Sequence, residues 1–261
     1  SLRGRVVTVY QDSQSFVDHV ASDRQVFFGT LAYDFSPDTT LTTGYTWQKS
    51  RIVPNLYGVP MSTDYSSLSL SRSTYLGASW NRMRYEKNNL FAQLEHRFDD
   101  DWALSGSLNY TGTHGDGQFI GVFGNGVAGV GPAGTARLNN YIHRDNEGDQ
   151  YAANLNLTGA FALLGRAHEL VVGGDYQKEH YDNRVGTLAN TSRVNVYTFD
   201  PSSLAEPDVP YRNRYRYDNY QRAVYAATRF NLADDLKLIL GSRYSTFYFN
   251  SRFKNLTTGR E

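Results

Sequence analysis

Cysteine is absent from the 261 residues, which excludes thiol catalysis, disulfide frameworks and thiolate-ligated metals and leaves the chain tolerant of an oxidising compartment. Net charge is absent as well. The 26 basic residues balance 26 acidic ones, so no overall field draws the chain to nucleic acid or to an anionic surface. No run approaches the ~18–20 apolar residues of a membrane helix, and mean hydropathy is low at −0.54. A helical membrane protein is therefore excluded. Capped amphipathic runs with helical periodicity are lacking too, which removes the α-helical classes. Membrane-spanning strands remain open, because they show the bilayer only every second residue.

Aromatic side chains are abundant instead: 20 Tyr, 14 Phe and 3 Trp beside only two Met. They concentrate where apolar and polar residues alternate. Trp102, Leu104, Leu108 and Tyr110 alternate with Ala103, Ser105, Ser107 and Asn109, and Tyr151, Ala153, Leu155, Leu157 and Phe161 alternate with Ala152, Asn154, Asn156 and Thr158. A period of two is the mark of a strand, and these runs match the ~9–11 residues of a tilted spanning strand. Similar alternation near residues 25–35, 40–49, 88–98, 168–179, 219–230 and 236–248, with a less clear run at 3–11, gives about nine strands.

The connections alternate between short and long. Short turns follow Phe35, Phe98, Phe161 and Phe230, while long polar or Gly-rich stretches fill residues 11–24, 50–84, 112–148 and 181–217. In an up-and-down meander successive connections fall at opposite ends, so the turns share one end and the loops the other. The Phe-to-Phe intervals, 98 − 35 = 63, 161 − 98 = 63 and 230 − 161 = 69, describe a hairpin pitch longer than the ~40–50 residues of a propeller blade. The Phe before each turn fits an aromatic girdle at one membrane interface. Its simpler reading is a hydrophobic plug closing a soluble barrel. The apolar face, broken by Gly106, Gly159 and Gly174, is poor material for a dry core. Leu104, Leu108, Leu155, Leu157, Leu238 and Leu240 are therefore expected to face lipid, with Asn154, Asn156, Glu169 and Arg243 facing a wet or plugged lumen. The fold class is all-β: an antiparallel up-and-down meander of about nine long strands, part of a large transmembrane outer-membrane β-barrel.

Local motifs carry little chemistry. Gly124-Asn125-Gly126-Val127-Ala128-Gly129 matches a dinucleotide fingerprint, but Gly131, Pro132 and Gly134 follow where a helix would have to start. It reads as a loop. The six histidines, His19, His96, His114, His143, His168 and His180, contain no pair at metal-ligand spacing, so the sequence offers no metal site. Asp145-Asn146-Glu147-Gly148-Asp149 is similar to the start of a calcium loop but lacks the twelve-residue ligand series. The Asn190 and Asn255 sequons read as chance. Residues 211–220 interleave Tyr and Arg, which could stack on nucleic acid; with no net charge elsewhere, an interfacial segment is the simpler reading. No catalytic constellation is defined, and an enzyme is not expected.

Three segments are more specific. Arg3-Gly4-Arg5-Val6-Val7-Thr8-Val9-Tyr10 with its continuation to His19, Phe91-Ala92-Gln93-Leu94-Glu95-His96-Arg97-Phe98, and Leu164-Gly165-Arg166-Ala167-His168-Glu169-Leu170-Val171-Val172-Gly173-Gly174 resemble barrel segments of TonB-dependent ferric siderophore receptors, notably the ferripyoverdine type. Residues 229–244 are similar to the strand pair that follows. The likeness runs nearly the whole length and is specific for the family, not for the ligand. It implies a barrel of roughly 22 strands around an N-terminal plug, in the outer membrane of a Gram-negative bacterium, importing a ferric siderophore with energy from TonB. On this reading residues 1–261 are a partial barrel domain, with plug and C-terminal strands absent, so TonB would act through the plug. The partners implied are the ferric siderophore, TonB and outer-membrane lipid, with no resident cofactor and no nucleic acid. Aromatic rings in loops and at strand ends would pack on the chelate, and Tyr57, Trp80, Phe119, Phe123 and Tyr141 are the candidates. Interfacial anchoring or loop self-packing is the competing role for all five. Trp80 leads because these receptors often carry a Trp after an Arg-Ser-Thr segment, here Arg72-Ser73-Thr74. The alternatives are a passive porin, a TonB-dependent transporter of another nutrient, and an outer-membrane enzyme.

Overall fold

The computed structural model describes residues 1–127 and 129–260, without the side chains of 124–127. Nine strands form one sheet: β1 (Leu2–Gln14), β2 (Ala21–Ser36), β3 (Thr39–Ile52), β4 (Arg82–Arg97), β5 (Trp102–Phe119), β8 (Tyr141–Leu163), β9 (Arg166–Leu188), β11 (Asn213–Asn231) and β12 (Lys237–Asn255). Their order is β1-β2-β3-β4-β5-β8-β9-β11-β12 and every pairing is antiparallel. Three short strands, β6 (Val122–Val127), β7 (Thr135–Leu138) and β10 (Arg193–Asn195), make a separate sheet in the order β10-β7-β6. Among the described residues the sole helical element is a 3₁₀ turn at Pro201–Ser203.

The meander expected from the alternation is present, and the turns after Phe35, Phe98, Phe161 and Phe230 lie at one end. Two of them have two residues: Pro37 and Asp38 between Ser36 and Thr39, and Leu164 and Gly165 between Leu163 and Arg166, where φ is 52° and 76°, a hairpin turn whose twist matches the strands. The strands are longer than the alternation suggests. β8 and β9 each run for 23 residues, so much of the expected loops at 112–148 and 181–217 is regular sheet. The first long stretch, 11–24, shrinks to residues 15–20. Asp145–Asp149 lies inside β8, not in a calcium loop. The glycine-rich run at 124–129 includes Ala128, outside the described residues.

Register places the expected lipid-facing and lumen-facing sets on opposite sides of the sheet. Leu104 pairs with Leu157, and Leu108 with Ala153, beside Leu155 on the same face; Asn156 pairs with Gly173, which pairs with Tyr225 and through it with Arg243. Aromatic residues bracket the apolar face along individual strands. Phe27 and Phe35 on β2 are 35 − 27 = 8 residues apart, Trp102 and Tyr110 on β5 are 110 − 102 = 8, Tyr151 and Phe161 on β8 are 161 − 151 = 10, and Tyr220 and Phe230 on β11 are 230 − 220 = 10. At ~3.4 Å per residue and a tilt of ~40°, those intervals span roughly 21–26 Å of height, the thickness of an outer-membrane apolar band. Leu108 and Leu155, between the brackets, are 63% and 56% exposed, as lipid contact requires.

Beyond the upper bracket the long connections 53–81, 120–140 and 189–212 fold on one another. Leu68, Leu76, Ala78, Ile120, Val122, Val130, Ala136, Leu138 and Val196 form their buried core. Backbone bonds tie the three together: Val122 N–H donates to Leu76 O at 2.8 Å, Val130 N–H to Met61 O at 2.8 Å, and Ser79 N–H to Pro201 O at 2.9 Å.

Candidate functional site

The inward face of the strands, above the apolar band and next to the loop core, is lined by aromatic rings. Tyr85 on β4, Tyr181 on β9, Tyr215 and Tyr217 on β11, and Phe249 and Phe253 on β12 all take the inward position in the alternation. Tyr217 sits between two rings, 6.2 Å from Tyr181 and stacked on Phe249 at 6.1 Å, and Tyr215 lies 5.2 Å from Phe253. These are ordinary separations for attractive ring pairs. Phe249 and Phe253 remain 55% and 44% exposed, so the wall has ring surface to offer.

Two glycines let the rings lie flat. A Cβ on Gly115 would come within 3.0 Å of Tyr85 Cδ1, and one on Gly148 within 3.1 Å of Tyr181 Cδ2. Even an alanine there would make the ring give by a few tenths of an ångström. Positive charge joins the same face through Lys87, in register with Thr113 and Gly148, and through Arg144, in register with Gly117. The Arg144 guanidinium stands 5.9 Å from the Phe119 ring centre and within electrostatic reach of Tyr181, as does Tyr85. The arrangement can stack on flat unsaturated groups and offset negative charge; it holds no general acid–base pair.

The five sequence candidates fall in two groups. Tyr57 and Phe123 form an edge-to-face pair at 5.4 Å on the loop surface, 42% and 53% exposed, and Tyr57 Oη accepts from Asn139 Nδ2. Trp80 and Tyr141 stack at 6.2 Å against the loop core, with Trp80 Nε1 donating to Leu204 O at 2.9 Å. Phe119 is buried, 3% exposed, beneath Arg144. The alternation does not mark the inward rings, because Tyr85, Tyr181, Tyr215 and Tyr217 lie in or beside polar stretches that read as loops. The Tyr211–Tyr220 interleaving was the available signal: on β11 the tyrosines 215 and 217 point inward and Arg214 and Arg216 outward.

Loop-borne titratable groups are structural. Burial pushes the Tyr75 phenol up to about 12, against the donation it receives from Asn81. Asp64 is held down at about 2, chiefly by hydrogen bonds from the Ser66 hydroxyl and backbone N–H.

A nine-stranded antiparallel meander with short turns at one end, long folded loops at the other and an apolar belt between aromatic brackets defines the wall of an outer-membrane β-barrel. The chain belongs to the TonB dependent receptor-like β-barrel family, whose model matches residues 10–260, and it is an outer-membrane protein of a Gram-negative bacterium. It is 34% identical over 255 residues to the ferric-pyoverdine M114 receptor PbuA of Pseudomonas sp. strain M114, covering 95% of this chain and 30% of that protein. It is 30% identical over 253 residues to the ferripyoverdine receptor of Pseudomonas aeruginosa, covering 93% and 30%. The crystal structure of the P. aeruginosa ferripyoverdine receptor bound to ferripyoverdine superposes with a TM-score of 0.86 at 27% identity, over 97% of this chain and 35% of that one. The ferric-catecholate import receptor Fiu of E. coli, at 14% identity and TM-score 0.81, shares the fold. The chain spans about a third of the length of the relatives it matches.

Proposed function

We propose that these residues form part of the wall of a receptor that takes up a ferric siderophore of the pyoverdine class, with import energised by TonB through a plug domain. The observation that carries the reading is the inward row of Tyr85, Tyr181, Tyr217 and Phe249 with Arg144 and Lys87 beside it. A bulky chelate with flat conjugated parts and negative charge is held by ring faces and cations without any protein atom bonding iron. The names of the relatives support the same ligand class. Tyr57 and Phe123 add ring surface from the loops, while Trp80, Tyr141 and Phe119 hold that loop surface in place. A passive porin gains nothing from stacked rings in its lumen, and the family membership favours coupled transport over it.

The test is titration of the full-length receptor in detergent with a ferric pyoverdine, read by fluorescence. Tyr217→Ala and Arg144→Ala are each expected to weaken binding about tenfold, or ~1.4 kcal/mol, without changing the heat-modified gel mobility that reports a folded barrel. Unchanged affinity in both variants would overturn the assignment of the site to this face.

A further inference from the structure

The outward faces of β5 and β8 bring together three metal-ligand side chains that no sequence spacing joins. His114 on β5 stands directly opposite Glu147 on β8, and Asp145 follows on the same face of β8. His114 Nδ1 lies 3.7 Å from Asp145 Oδ1 and 4.0 Å from Glu147 Oε1, and the ligand atoms of all three are within 4.8 Å of one another. Asp145 is the fixed member. Its side chain is 10% exposed and its Oδ2 accepts from Arg184. Its Oδ1, buried and turned toward His114, has no hydrogen-bond partner. A buried carboxylate oxygen without a donor is unfavourable, and Asp116, opposite Asp145 in the ladder, adds like-charge repulsion.

We propose that His114, Asp145 and Glu147 bind a divalent first-row transition cation of the Zn²⁺ class. One imidazole nitrogen with two carboxylates is a donor set for Zn²⁺ and less apt for Ca²⁺ or Mg²⁺, which take oxygen ligands. The side chains of His114 and Glu147 are 52% and 63% exposed, and Glu147 Oε1, which also faces the Arg184 guanidinium at 3.9 Å, has room to swing onto a cation while Asp145 stays in place. Arg184 fixes the other oxygen of Asp145, the role that outer hydrogen bonds play around metal ligands. The fourth tetrahedral position is left to water or a headgroup oxygen. His114 lies 114 − 110 = 4 residues beyond Tyr110, and Glu147 lies 151 − 147 = 4 beyond Tyr151, which sets the site roughly 10 Å above the aromatic bracket. It faces the headgroup layer and not the import route.

Titrating the full-length receptor in detergent with Zn²⁺ alone, by calorimetry and with Co²⁺ absorption as the coordination reporter, tests the proposal. H114A and E147Q are each expected to weaken Zn²⁺ at least about tenfold and to abolish the tetrahedral Co²⁺ band, with ferric-chelate affinity unchanged. Wild-type receptor that takes up no Zn²⁺, or variants that bind it as tightly as wild type, would overturn it. Should H114A fail to fold, E147Q, altered at an exposed side chain, decides the matter alone.

Discussion

Asn81 is the side chain on which the loop assembly turns. It is 3% exposed; its Oδ1 accepts from Ile120 N–H at 2.9 Å, and its Nδ2 donates to Ile120 O at 2.7 Å and to Tyr75 Oη at 3.0 Å. Asn81→Ala leaves two buried backbone groups unpaired at a cost of ~1–3 kcal/mol each. The expected outcome is loss of amide-exchange protection at Ile120 and Val122 with the strands below unaffected. Tyr75 gives the same knot a pH limit. Its folded pKa of about 12 lies above the ordinary phenol value of 10.0, so its contribution to stability is complete below pH 10 and is lost as pH rises toward 12. Ultraviolet titration of tyrosinate should show one fewer late-ionising phenol in Tyr75→Phe than in the unaltered protein, and only the unaltered protein should show loosening of the loops that coincides with that ionisation. Nothing in the sequence marks Asn81 or Tyr75: both lie in a polar stretch without periodicity, and Ile120, the backbone partner of Asn81, is 39 residues away.

At the scale of strands, legibility depended on contrast between faces. Where one face meets lipid, apolar residues alternate with polar ones and β5 and β8 could be read from Trp102–Tyr110 and Tyr151–Phe161. Above the aromatic brackets the outward face turns ionic: Arg184 pairs with Asp145, Arg214 and Arg216 with Asp182, and His180 and Arg252 with Asp218. Both faces are then polar or mixed and the period-two signal vanishes, although the ladder continues. The aromatic wall and the His114–Asp145–Glu147 group lie in this illegible zone, assembled by register across strands. The lower zone carries a direct test. Spin labels at 155 and 108 are expected to be quenched by lipid-soluble reagents, and labels at 154 and 107 by aqueous ones; the reverse pattern would invert the facing of the sheet.

For the molecule as a whole the sheet has two open margins, β1 and β12. Unpaired N–H and C=O groups there find no partners in lipid. The 261-residue chain by itself is expected to bind a ferric pyoverdine orders of magnitude more weakly than the full receptor, since loops on an unclosed wall pay an ordering cost. Parallel titrations of refolded chain and full receptor check this; matching dissociation constants would show that the whole site resides here.

The two-residue turn at Leu164 and Gly165 also bears on the order in which the wall is put together. It joins strands of 23 residues each, so every pair from Leu163–Arg166 upward adds to an existing neighbour, whereas β9 and β11 must close residues 189–212 before their first contact. Loop closure grows costlier with length, and local pairings form sooner than distant ones. Pulse-labelled hydrogen exchange during refolding into vesicles should therefore find β8–β9 protected before β9–β11, with zippering that starts at the short-turn end and reaches the loops last. Simultaneous protection of both pairings would point instead to concerted closure of the wall.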